Sequence, residues 1–364
     1  MIPVRGQITA ALGEKQHEQM QDLSRHALGT GVQKTDCPHL EGCQPRSGLP
    51  TEIGFVRLAE MASSPSPVRH RRVATLPTGS EHRHFITSRE NKWLKTFRAA
   101  LQGKGPQSGE AIGVEGPKMV ADALRSGLEA EALLISESGE RDASQVLRAA
   151  SECERGIEVD HILRTTDKLF ANVTGTEAPQ GVAALFRQRT WGIEDVLRGP
   201  GAMRRSAPLV AVLAAVQDPG NVGTIVRSAE AFGATGVVAT RGSADPWSPK
   251  ALRASAGSAL RLPVLRAMAI PILIAQLKLA GVTVYASAHP GTGDRARTSL
   301  EADLTGPVAI FIGNEGGGLP AEVTHSADGM ISIPTCGDQE SLNAGIAASI
   351  LLYEAARQRT LRSP

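Results

Sequence analysis

The sequence lacks an excess of charge of either sign: 39 Lys and Arg stand against 37 Asp and Glu, for a formal net charge of +2. Sequence-independent affinity for nucleic acid comes from Lys and Arg meeting phosphates, so any RNA binding here must use a local patch. Cysteine is scarce. Cys37, Cys43, Cys153 and Cys336 are irregularly spaced, which argues against a disulfide framework and for a reducing compartment, hence a cytoplasmic protein. Long apolar runs are also missing. Leu209 to Val216 is among the longest, well short of the roughly 20 residues a membrane helix needs, so no membrane partner is expected. The N-terminus has none of the charged, apolar and small-residue order of a signal peptide. Two nucleotide fingerprints are absent as well. Gly220 and Gly223 are spaced G-x-x-G instead of G-x-G-x-x-G, and no G-x-x-x-x-G-K-[ST] occurs, so hydride and phosphoryl transfer lose ground.

What is present suits two domains: 364 residues with 41% hydrophobic content supply a core for each. Residues 1–83 hold Pro, Ser, His and Arg in unpatterned runs such as Ser63-Ser64-Pro65-Ser66-Pro67, and read as a disordered leader. Cys37, His39 and Cys43 form one Cys-x5-Cys without a second pair, poor zinc spacing, so no metal is expected. The basic cluster Arg69-His70-Arg71-Arg72 reads as a solvated linker or, less often, an RNA-contacting arm.

Residues 84–188 have a globular pattern. Ser88 is placed as an N-cap for a helix with Trp93, Leu94, Phe97 and Leu101 at helical spacing. Strands at Ala111 to Gly116, Ala132 to Ser136 and Gly181 to Phe186 alternate with helices at Lys118 to Ser126 and Ala143 to Arg155, a small α/β domain. Its polar loop Thr174 to Gly181 is suited to meeting a partner, or is an ordinary surface loop. Residues 189–207, rich in Arg, Gly and Pro, read as a linker.

Residues 208–364 alternate strand and helix, the pattern of a parallel sheet covered on both sides. Leu209 to Val216 leads to a helix whose apolar face is Val222, Ile225, Val226, Ala229 and Phe232, which turns Arg227 outward. Its N-terminus follows a buried strand, a place where ligands or phosphates bind. Later strands are placed at Gly236 to Thr240, Val282 to Ser287, Val308 to Ile312 and Met330 to Ile333. A final helix is placed from Leu342 to about Arg357, with Leu342, Ile346, Ile350 and Tyr353 on one face. Loops 217–223, 313–320 and 334–341 follow carboxyl ends of buried strands, where open α/β sheets gather a ligand. In the second, Gly316 to Gly318 would permit close backbone approach and positive φ, with Glu315 beside them.

Taken together, Asn221-Val222-Gly223 with Arg227, Gly313-Asn314-Glu315-Gly316, and Ile333-Pro334 through Glu340-Ser341-Leu342-Asn343 resemble the three ordered motifs of the SpoU (TrmH-like) RNA ribose methyltransferases. Val114-Glu115-Gly116 and Pro179-Gln180-Gly181 resemble the substrate-binding domain this family often carries, similar to a ribosomal RNA-binding protein. The resemblance runs from about Ile86 to the C-terminus. It implies a SPOUT-type parallel sheet with a deep trefoil knot, a homodimer, S-adenosylmethionine as cofactor, and methylation of a ribose 2′-hydroxyl in ribosomal or transfer RNA. By motif position, Gly313, Ile333 and Leu342 would hold the cofactor. Arg227 would bind phosphate and stabilise charge, and Asn221, Glu315, Ser341 and Asn343 would orient the reacting groups. One departure stands out. Ala344-Gly345-Ile346 replaces the family's more frequent Val-Ser-Val, and Gly345 inside a helix costs up to about 1 kcal/mol. The alternatives are a catalytically idle knotted RNA-binding protein and an unrelated nucleotide-dependent enzyme.

Overall fold

The computed structural model describes residues 85–103, 111–153, 157, 161–201, 207–289, 296–314, 316–336 and 342–362. The leader 1–83 with its Cys37, His39 and Cys43 reading, the basic cluster at 69–72, Glu315 and Ser341 lie outside them.

The first sheet is built from β1 (Phe85–Ile86), β2 (Ala111–Glu115), β3 (Ala130–Ser136), β4 (Ile162–Thr165) and β5 (Val182–Arg187), in the order β1-β4-β3-β5-β2. β5 runs antiparallel to both β2 and β3, while β3, β4 and β1 are parallel. Helices α1 (Lys92–Leu101), α2 (Pro117–Arg125), α3 (Glu140–Glu152) and α4 (Asp167–Thr174) join these strands. α1 buries Leu94, Phe97 and Leu101 as its spacing predicts. Its N-cap, however, is Asn91, whose side chain accepts the Trp93 N–H at 2.8 Å. Ser88 lies in the preceding turn and accepts from the Glu90 N–H instead. Both are good capping types; the chain turns into the helix only at Asn91.

The segment read as linker contains a short helix, α5 (Ile193–Arg198), with Val196 fully buried. Then follow β6 (Leu209–Leu213), α6 (Pro219–Ala231), β7 (Gly236–Thr240), α7 (Pro249–Ala254), a 3-10 turn at Ser258–Leu260, β8 (Val264–Met268), α8 (Ile270–Leu279), β9 (Thr283–Ala288), β10 (Ala296–Thr298), β11 (Val308–Ile312), α9 (Ala321–Ser326), β12 (Gly329–Ser332) and α10 (Ala344–Arg362). The second sheet has seven strands in the order β10-β12-β9-β11-β6-β7-β8, and every neighbouring pair is parallel. β6 and β11 are buried along their whole length, as continuous apolar runs in a parallel sheet must be.

α10 turns its apolar stripe outward. It buries Ala344, Gly345, Ala348, Leu351, Leu352, Glu354 and Ala355, whereas Ile346, Ile350 and Tyr353 are exposed. The apolar stripe in the sequence is real but faces outward. The first half of the inward face, Ala344, Gly345 and Ala348, is small where α10 lies directly on α6: the Ser228 and Ser349 hydroxyls share a hydrogen bond at 2.7 Å. Below it, Arg359 donates to the carbonyls of Leu304, Ala207, Pro208 and Gly306, tying the end of α10 to the starts of β6 and β11.

Candidate active site

Because all strands of the second sheet run the same way, the turns after β6, β11 and β12 emerge at one edge. The first enters α6 through Asp218 and Pro219. Asp218 is the N-cap: its carboxylate accepts the Asn221 N–H at 3.0 Å, and Pro219 sits where the missing N–H costs nothing. Lys250 Nζ reaches the same carboxylate at 2.7 Å. The Lys250 hydrogen bond, followed by that from the Asn221 backbone, holds the Asp218 carboxyl below the usual range. The helix N-terminus, read from sequence as an open anion site, is therefore already occupied by a carboxylate. Asp-Pro before the helix was the signal for this. Arg227, further along α6, is exposed and makes no ion pair among the described residues.

The second turn is closed by Asn314 and Gly318, which exchange backbone hydrogen bonds of 3.0 and 2.8 Å. A Cβ on Gly313 would lie 2.5 Å from the Gly318 carbonyl carbon and 2.8 Å from the Leu319 nitrogen, so glycine is required there by close approach. Gly318 supplies the one positive φ of the glycine run, +63°. Gly316 and Gly317 have open space around them, and the tight position is Gly313.

A cavity of about 230 Å³ lies at this edge. Its wall includes Gly313, Ile333 and Leu342, the three positions singled out from the motifs, together with Ile312, Leu319, Ile331 and Leu351. Leu342 and Ala344 also line it, and between them stands Asn343. Asn343 Oδ1 accepts the N–H groups of Gly345 and Ile346 at 3.0 and 3.2 Å, which caps α10. That assignment leaves Nδ2 to donate to Asn221 Oδ1 at 3.1 Å, joining the first and third motifs. Gly345 now has a reason. A Cβ there would stand 3.2 Å from Thr224 Cγ2 and 3.2 Å from Asn343 Oδ1, tighter than an ordinary contact, with Asn221 Oδ1 next at 3.4 Å.

In the small sheet the two motif fragments also meet. The Glu115 carboxylate accepts the Thr176 hydroxyl at 3.2 Å and the Gln180 N–H at 3.2 Å, and the Gly116 N–H donates to the Val182 carbonyl at 2.8 Å. Gly116 has φ +101°, and a Cβ there would collide with Gln180 Oε1. The loop 174–181 is thus fastened to β2 by a charged acceptor.

An open, all-parallel sheet whose loops surround a cavity at the carboxyl edge, with the Asn343–Asn221 contact at its rim, defines a ligand-binding α/β protein of the doubly wound class. Comparison with known proteins narrows the class. Residues 208–353 match the SpoU rRNA Methylase family, and residues 91–184 match the MRM3-like substrate binding domain. The chain is 32% identical over 269 residues to the 23S rRNA (guanosine(2553)-2′-O)-methyltransferase RlmP of Bacillus subtilis, covering 74% of this chain and 97% of that one. It is 33% identical to the 23S rRNA (guanosine-2′-O-)-methyltransferase RlmB of Xanthomonas campestris over 62% of this chain and 94% of the other. Among solved structures, an AdoMet-bound rRNA methyltransferase from Sinorhizobium meliloti superposes with a TM-score of 0.62 at 32% identity, over 75% of this chain and 97% of that chain. This chain belongs to the SpoU rRNA methylase family.

Proposed function

We propose that this protein transfers the methyl group of S-adenosylmethionine to a ribose 2′-hydroxyl of RNA, ribosomal RNA before transfer RNA. The observation that carries the reading is the Asn343–Asn221 hydrogen bond, which joins motifs 122 positions apart at the rim of the cavity lined by Gly313, Ile333 and Leu342. The names of the relatives in Bacillus subtilis and Xanthomonas campestris, both 23S rRNA 2′-O-methyltransferases, support ribosomal RNA.

The cavity suits the cofactor. Its wall is largely aliphatic, and at Gly313 the main chain is bare of any side chain. S-adenosylmethionine supplies an electrophilic methyl when bound; Gly313, Ile333 and Leu342 would hold it. The protein's part is to place a weak nucleophile in line and to stabilise the charge that develops as the hydroxyl loses its proton. Arg227 is assigned to that charge and to the RNA phosphate. A guanidinium with a pKa above about 12 is not a base, but its fork of donors matches phosphate oxygens. Asn221 and Asn343 act as positioning groups: each uses its amide in the contact that locks α6 to α10. Glu315 and Ser341 take orienting roles by motif position.

The same reading includes a cytoplasmic homodimer. Among the described residues no helix is long and apolar enough to cross a membrane. The exposed Ile346, Ile350 and Tyr353 on α10 supply an apolar face for a second copy of the chain. A deep trefoil knot is also part of it, supported by β11 lying between β9 and β6 and β12 between β9 and β10. Residues 84–188 would select RNA, 189–207 would connect, and 208–364 would carry out transfer. Incubating the protein with labelled S-adenosylmethionine and total RNA tests the central claim. Label in RNA as 2′-O-methylnucleoside is expected; RNA binding without transfer would leave the idle binding protein as the answer.

A further inference from the structure

Between the small sheet and the catalytic edge lies a junction whose charges are arranged unevenly. α7 and the turn after it bridge the two. On one side, a Cβ at Gly257 would come 3.6 Å from Met119 Cγ on α2, and one at Gly103 would come 3.3 Å from Pro249 Cδ at the start of α7. On the other side α7 packs on α6 so closely that a Cβ at Gly223 would stand 2.5 Å from Ala254 Cβ.

Three contacts set the register of α6 against this segment. Lys250 meets Asp218, Ala254 meets Gly223, and Arg261 meets Glu230 through hydrogen bonds of 2.6 and 2.7 Å. Both sequences advance in the same direction, so the stretch of α6 that carries Arg227, between Gly223 and Glu230, runs alongside the segment from Ala254 to Arg261 that includes the Ala256–Gly257 turn. That turn is the one touching Met119 of the small sheet's helix. α2 itself begins at Gly116, against Gln180 of the fastened loop. A surface path therefore leads from that loop, along the start of α2 and over the Gly257 turn, to Arg227.

Beyond the loop, where Glu115 and Glu177 have no cation among the described residues, the carboxylates are paired: Asp218 with Lys250, Glu230 with Arg261, Asp122 with Arg125 and Asp245 with Arg266. Lys118, Arg253 and Arg227 are exposed and make no ion pair among the described residues. Lys118 also stands in the first turn of α2, where the helix dipole disfavours a cation and no acidic residue accompanies it. Stability of the helix does not account for it. In a chain with a net charge of +2, such a local surplus is what polyanion binding requires.

We propose that Lys118 and Arg253, flanking the Gly257 turn, bind the phosphates of the RNA strand that runs from the small sheet to Arg227 within one chain. The proposal rests on the reading of the protein as an RNA methyltransferase, and it adds two phosphate-contacting residues outside the three motifs.

The test uses the full chain carrying both Lys118→Ala and Arg253→Ala, with a fluorescein-labelled RNA hairpin as probe. Affinity is measured by anisotropy across a salt series, and S-adenosylmethionine affinity and thermal melting serve as controls of the fold. Affinity is expected to drop about tenfold at ~0.15 M salt, and the slope of log K against log salt to become shallower by about 1.4 to 1.8, the loss of two phosphate contacts. The charge-keeping pair Lys118→Arg with Arg253→Lys should retain most of both. An unchanged slope and affinity in the double alanine variant would overturn the track. A wild-type protein that binds the hairpin with the expected slope but transfers no methyl to any RNA would instead overturn the functional reading, so the two failures are distinguishable.

Discussion

The two sheets differ in what their strand directions allow. In the five-stranded sheet β5 runs against both neighbours, so adjacent strand ends point opposite ways, and the loop 174–181 needs the Glu115 carboxylate to hold it to β2. In the seven-stranded sheet every strand is parallel, and the turns after β11 and β12 come together around one cavity with backbone and glycine contacts. One arrangement presents a surface and the other encloses a space. On the proposed reading, selection of the RNA falls to the first half of the chain, and the cofactor is held in the second, where Arg227 meets the RNA.

The strongest challenge to that division is at Arg227. Arg227→Ala should lower methyl transfer by on the order of 10² to 10³-fold while leaving S-adenosylmethionine affinity in place, since the residue lies on α6 outside the cavity wall. Arg227→Lys should recover little, because a point charge does not reproduce a bidentate fork. Near-normal turnover of the alanine variant would remove Arg227 from the chemistry. Gly313→Val attacks the other function of the same half. Its Cβ would run into Gly318, so the turn must open, and cofactor binding in calorimetry should fall below detection. Retained affinity would mean that the cofactor binds elsewhere.

Separating the halves is the next test. A fragment from Ala207 onward contains all three motifs and is expected to bind S-adenosylmethionine but to fail on RNA; equal methylation of the natural RNA by fragment and full chain would end the division of labour. A finer probe is Glu115→Gln, which keeps the shape of the acceptor but weakens its bonds to Thr176 and the Gln180 N–H. KM for RNA should rise several-fold with kcat unchanged, a part of the roughly 1.5 to 3 kcal/mol that hydrogen bonds to charged groups contribute net of water. A changed kcat with unchanged KM would contradict it.

The smallest expected effect concerns acid stability. Burial raises the Glu230 carboxyl, but its hydrogen bonds from Arg261 and Ser258 outweigh that and leave it below the usual range. A depressed folded-state pKa stabilises the protein above the unfolded value, about 4.3, and that contribution disappears as pH falls through the folded value. Melting temperatures of wild type and Glu230→Gln should therefore differ near neutrality and converge below about pH 4. A constant difference over that range would show that the Arg261 pair is not what titrates.

Much of this could be read from residues in order. The buried runs at β6 and β11 are continuous apolar stretches, and the helical spacing of α1, α2 and α6 follows from side chains alone. The three motif loops carried their own signature, and Gly313, Ile333 and Leu342 do line one cavity. Weak or short elements were lost. β4, β10 and α9 have four, three and six residues, too few for a period to show. The final helix marks the limit of such reading: Ile346, Ile350 and Tyr353 repeat as a core face would, yet they are exposed, because periodicity reports an apolar stripe and not what covers it.

By itself, then, the sequence determined the elements, their class and the motifs, because period, caps and glycine placement are local properties of the chain. Only the tertiary structure decided which side of α10 turns inward, that Lys250 pairs with the Asp218 cap, and that Gly345 is small to admit Thr224 and Asn343 beside Asn221. Each of those depends on atoms more than a hundred positions away or on a neighbouring side chain's choice of partner, and close packing, which no local pattern encodes, is what settles such choices.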